Sequence, residues 1–145
     1  MFLGYTLFDK EKYPIRFPFG YGLSYMSFQY SDLVLDCQSY AKSDILKISI
    51  KISNMGPKQG YEIVQVYSGY EKPSVERHHK DLRGFKRISL EANESKTVKF
   101  EIPIESLAYY SPESKIWIVD PISYYLWVGP NSNESQALTA TFTVE

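Results

Sequence analysis

A single cysteine, Cys37, stands in 145 residues, so no intrachain disulfide can form and folding requires no oxidising compartment. Histidine is nearly as scarce: His78 and His79 are the only two, and neighbours in an extended chain point to opposite sides. That geometry denies them a shared metal, and no Cys or carboxylate stands beside them at zinc-ligand spacing. No metal and no other cofactor is expected. No apolar run approaches the roughly 18 residues of a membrane span, which removes a membrane partner. The opening MFLGYTLFDKEKYP has no basic leader, long apolar centre or small-residue cleavage site. With the free thiol, this leads us to expect a cytoplasmic rather than secreted chain. Charge of one sign is also lacking: 16 Lys and Arg face 17 Asp and Glu, for a net charge of -1, so no global field draws the chain to nucleic acid.

Aromatic residues are what the sequence has in plenty, with 13 Tyr and 8 Phe. Tyr favours sheets and interfaces. Alternation is clearest in DILKISIKIS, where Leu46, Ile48, Ile50 and Ile52 take one face and Lys47, Ser49, Lys51 and Ser53 the other. The same period runs through Met26, Phe28 and Tyr30, through Val98, Phe100 and Ile102, and through Leu138, Ala140, Phe142 and Val144. YEIVQVYS, IWIV and SYYLWVG read as further strands. DLRGFKRISL reads as a strand bent or bulged at Gly84. Gly, Pro, Asn and Ser clusters separate these runs, and no amphipathic helix is expected. About seven or eight short antiparallel strands, each with one apolar face, predict an all-β, two-sheet sandwich. Residues 1–24 carry aromatics without alternation and read as a leader; residues 25–145 read as the sandwich domain.

Catalytic chemistry is hard to place on this chain. Its acidic residues fall mostly at outward strand positions or in charged loops, and Cys37 has no evident activating cation. The segment holding Lys72, Arg77, Lys80, Arg83, Lys86 and Arg87 is locally basic, but no recognition helix accompanies it. Gly20 and Gly22 do not form a phosphate loop, because no helix start or lysine follows in register. Alternation sends Tyr125 and Trp127 to one face and Tyr124 to the other, which favours core and interface over a sugar platform. A tyrosine in the connection around Leu107, Tyr109 and Tyr110 is placed to tie its hydroxyl to nearby backbone, as sandwich corners do.

One stretch resists this reading. FPFGYGLSY, at 17–25, packs four rings onto a backbone with two glycines and a proline. With the residues that follow, FPFGYGLSYMSFQYSDL resembles the passage into the C-terminal fibronectin type III-like domain of family 3 glycoside hydrolases, the β-glucosidase and β-xylosidase group. SNMGPKQG, VQVY at 64–67, DLRGFKRISL at 81–90, ESKTVKFEI at 94–102 and SYYLWVG at 123–129 follow in that family's order. FLGYTLFD at 2–9 is similar to the end of the preceding α/β domain. The resemblance implies a noncatalytic accessory domain of a retaining hydrolase that acts on terminal β-linked glucose or xylose. Its partners would be the barrel and α/β domains, in the same or a separate chain. In the family the aspartate nucleophile and the acid/base carboxylate lie in those two domains, and no residue here matches either motif, so no catalytic residue is assigned. Candidate domain-interface residues are Phe17, Phe19, Tyr21, Tyr25, Arg77, Arg83 and Phe85. A free-standing module that binds carbohydrate or protein through exposed rings is the alternative.

Overall fold

The computed structural model describes residues 4–11 and 13–145. Seven long strands and three strands of two or three residues build the molecule, in chain order β1 Phe28–Leu35, β2 Ser39–Tyr40, β3 Ile45–Asn54, β4 Gly60–Tyr70, β5 Lys80–Leu90, β6 Ser95–Pro103, β7 Tyr109–Ser111, β8 Ile116–Ile118, β9 Ser123–Gly129 and β10 Leu138–Val144. A three-stranded sheet, β1-β3-β6, faces a five-stranded sheet, β2-β10-β9-β4-β5. β7 and β8 form a separate hairpin. All pairings are antiparallel except β2 with β10, where Ser39 and Tyr40 lie beside Thr143 and Val144. The expected all-β sandwich of about seven principal strands is the fold observed.

The core follows from the period of two. Leu46, Ile48, Ile50 and Ile52 of β3 and Val98, Phe100 and Ile102 of β6 are buried against Val64 and Val66 of β4 and Tyr124, Leu126 and Val128 of β9. Each such side chain contributes roughly 1.5–3 kcal/mol on burial. Lys47, Ser49, Lys51 and Ser53 point the other way and pair across the strands with Glu101, Lys99, Thr97 and Ser95. The outer face of the β3–β6 pair is therefore polar and wet. In β5 the register slips opposite Val66 and Tyr67, where Gly84 and Leu82 stand, so the glycine marks a bulge as its sequence context predicts.

Buried polar groups fix the turns. Asn54 is 1% exposed; its Nδ2 donates to the carbonyls of Lys58, Leu90 and Glu91, and its Oδ1 accepts from the Gly56 amide. Gly56 and Gly60 then form a slot for Met26: a Cβ at Gly60 would stand 2.8 Å from Met26 Cγ and 2.9 Å from Phe28 Cζ. The corner tyrosine is Tyr124, whose hydroxyl donates to the Asp120 carbonyl at 2.8 Å. Tyr109 and Tyr110 lie in β7 rather than in an irregular connection, and the Tyr109 hydroxyl meets Ser74 Oγ.

The leader holds one short helix, which the sequence pattern does not announce. Tyr5–Glu11 forms a seven-residue helix, α1, and Ile104–Leu107 and Glu134–Gln136 form single 3-10 turns. No residue of α1 is buried, and a helix that short has little stability of its own in water. It is held by tertiary contacts made by its side chains.

Candidate docking surface

The leader folds back over the outer face of the five-stranded sheet. The Phe19 carbonyl accepts from the Ser132 amide at 2.9 Å, and Gly20, at φ +80°, lies flat against Gln65. A Cβ at Gly20 would approach Gln65 Oε1 to 2.7 Å, so both the close approach and the positive φ call for glycine. Gln65 sits outward on β4 yet is only 4% exposed. Its Nε2 donates to the Pro130 carbonyl, and its Oε1 accepts from the Tyr67 hydroxyl. Burial, joined by the nearby Asp9 carboxylate of α1, pushes the Tyr67 hydroxyl up to about 12. Lys10 reaches Glu76 at 2.6 Å, an exposed pair that orients the helix more than it stabilises it.

The leader's own rings pair edge to face and remain partly in water. Tyr5 meets Phe19 at 5.7 Å between centroids, Phe8 meets Tyr13 at 5.8 Å, and Phe17 lies tilted against Tyr21 at 5.3 Å. Tyr5, Phe8 and Phe17 line an open groove of about 450 Å³ with Ile15 and Arg16. Four of the sequence candidates, Phe17, Phe19, Tyr21 and Tyr25, are exposed, and Tyr25 fully so at 102%. Phe2 and Leu3 of the FLGYTLFD stretch lie outside the described residues.

Phe85 is exposed on the outer face, at 67%. The two candidate arginines are set differently. Arg77 stacks on the Tyr70 ring, 3.7 Å from its centroid, and its Nη2 donates to the Tyr70 hydroxyl and the Leu107 carbonyl. Arg83 donates to Ser68 Oγ, the Ser106 carbonyl and the Tyr70 hydroxyl, and pairs with Asp81 at 3.0 Å. Arg77 thus clamps the loop at 71–79 to one end of the sandwich, and Arg83 ties β5 to β4 and to the 3-10 turn at Ile104–Leu107. The surrounding positive charge is largely engaged as well: Lys80 pairs with Glu134, and Lys86 donates to the Lys99 carbonyl.

The remaining chemical candidates are apart from one another. His78 pairs with Asp81 and His79 with Glu134, and no group of three metal-ligating side chains forms among the described residues. Tyr124 is in the core, and Trp127 is 9% exposed, seated on Gly69 and beside the His79 ring. Those two rings and Tyr125 therefore form no open platform. Sequence reasoning missed Tyr61 and Ile63, both exposed on the outer face of β4. The signal was present, since YEIVQVY is apolar on both of its faces, the mark of a strand covered on both sides.

The described residues form a two-sheet sandwich that displays rings along its leader and on the outer face of one sheet. The description of the fibronectin type III-like domain matches residues 62–132. Thermostable β-glucosidase B of Acetivibrio thermocellus is 37% identical over 134 residues, 92% of this chain and 18% of that protein. A β-xylosidase of Formosa agariphila is 37% identical over 135 residues, 93% of this chain and 18% of that protein. The crystal structure of a β-D-glucoside glucohydrolase from Trichoderma reesei superposes with a TM-score of 0.89 at 30% identity, over 99% of this chain and 22% of that one. The chain belongs to the fibronectin type III-like domains of family 3 glycoside hydrolases, and it spans about a fifth of the length of the relatives it matches. A match to so small a part of each relative is what an accessory domain gives.

Proposed function

We propose that the chain serves a β-glucosidase-type hydrolase by packing against its barrel and α/β domains and stabilising them, and that the parent reaction is retaining hydrolysis of terminal β-linked glucose or xylose. One observation carries this reading. The leader is latched to the sandwich through Gly20, Gln65 and Ser132, yet it turns Phe17, Phe19, Tyr21 and Tyr25 toward solvent. Exposed apolar area of that extent marks a contact surface. The polar, Lys- and Ser-rich face of the β3–β6 pair would remain in solvent. The test is a graft: the 134 matching residues of the A. thermocellus enzyme are replaced by this chain. The graft retains activity on an aryl β-glucoside and outlasts an enzyme from which the segment is deleted. A graft no more durable than the deletion would reject the reading.

A further inference from the structure

The leader covers only part of the outer face of the five-stranded sheet. Gln65, Tyr67 and Trp127 lie under or beside it and are buried. Beyond Gln65, β4 presents Tyr61 and Ile63 on the same face, and the partner positions on β5 are Ser89 and Arg87, with Phe85 opposite Gln65. Tyr61, Ile63 and Phe85 are all exposed. Leu23, exposed at 91%, stands beside Tyr61 and Ile63 along a groove of about 200 Å³. The Arg87 guanidinium lies over the Tyr61 ring, 3.9 Å from its centroid, and no carboxylate among the described residues pairs with it. The result is an apolar stripe with one unpaired cation at its margin, continuous with the leader. The outward positions that β3 and β6 pair at the same strand spacing are Lys, Ser, Thr and Glu.

We propose that this uncovered part is a second contact for the catalytic part of the parent hydrolase, and that the covering segment sets an apolar side chain on Phe85 and Ile63 and a carboxylate on Arg87. The inference rests on the accessory-domain reading. Its occupant is chosen by length and charge. The matched relatives extend to about five times the span of this chain, so polypeptide is there to do the covering. An isologous contact with a second copy would bring a stripe edged by Arg87 against its own image, and the one carboxylate that lines the groove, Glu62, is already engaged by the Tyr30 hydroxyl. A sugar would find the Tyr61 face already occupied by Arg87, and Phe85 offers it no hydrogen bond.

The test uses the same graft. Phe85→Ala and Arg87→Glu each shorten its half-life at the inactivation temperature about tenfold, the scale of one lost hot-spot contact. The melting temperature of the isolated chain carrying either change is unaltered, and Lys51→Glu on the polar face changes neither readout. If Phe85→Ala and Arg87→Glu are silent while a Phe17→Ala, Phe19→Ala double variant shortens the half-life, this face is not the contact and the accessory-domain reading stands. Silence of all these variants in a graft no more durable than the deletion would remove both. Sedimentation that shows the isolated chain dimerising, with the dimer abolished by Phe85→Ala, would assign the face to a second copy and overturn the proposal.

Discussion

Gly20 and Gln65 lock the leader to the sandwich: the glycine backbone, at φ +80°, occupies the space over the Gln65 carboxamide that any side chain would need. Gly22, two residues on, has nothing within 4 Å of where its Cβ would stand. Gly20→Ala should therefore destabilise by about 1–3 kcal/mol, through backbone strain and the displaced Gln65 bonds. Gly22→Ala should stay within about 0.5 kcal/mol. Urea titrations of the two variants compare these directly. Limited proteolysis should show faster cleavage within residues 4–24 for Gly20→Ala alone.

Asn54, the last residue of β3, satisfies four backbone groups: two in the turn that joins β3 to β4 and two at the end of β5. Asn54→Ala leaves those groups without their partner and should cost about 2–3 kcal/mol. Asn54→Asp should be worse at neutral pH, because it sets a carboxylate against three carbonyl oxygens. Denaturant midpoints of both proteins test that order, and an aspartate variant as stable as the parent would refute this account of the turn.

Two carboxylates should pull the pH dependence of stability in opposite directions. Burial holds the Glu62 carboxyl above the ordinary range, against the lowering effect of the bond it accepts from Tyr30. The folded state then binds a proton more readily than the unfolded one, so this group disfavours folding increasingly as pH rises above its unfolded value of 4.5. Glu62→Gln keeps an acceptor for the Tyr30 hydroxyl; it should be more stable than the parent at pH 7, with the gain shrinking as pH falls toward 4.5 and absent below it.

Glu134 behaves conversely. Burial raises its carboxyl, but the bonds and charges of Lys80 and His79 outweigh burial and hold it below the ordinary range. Its stabilisation is present above the unfolded value of 4.5 and is lost as pH falls through the lower folded value. Glu134→Gln should thus be less stable than the parent at pH 7 and approach it in acid. Thermal melts across pH 3–7 separate the two signs.

The sandwich was legible because β3, β6 and β10 alternate cleanly, and the Gly84 bulge because a glycine interrupts an otherwise regular run. β2 was not legible: two residues beside Thr143 and Val144 pair through tertiary placement alone. Nor was α1, since Tyr5–Glu11 has neither a helical apolar stripe nor a buried residue to announce it. At the docking surface the rings of FPFGYGLSY stood out by composition. Tyr61, Ile63 and Arg87 did not, because their shared outer face exists only once β4 and β5 are in register. Arg77 and Arg83 looked like surface cations, and only the packed loop reveals that their guanidinium groups are engaged with Tyr70.

The central claim is that this chain supports catalysis without performing it. The direct measurement is the initial rate of aryl β-glucoside and aryl β-xyloside hydrolysis by the purified chain alone. The account predicts no rate above buffer with either substrate; turnover that scales with protein concentration and survives repurification would contradict it.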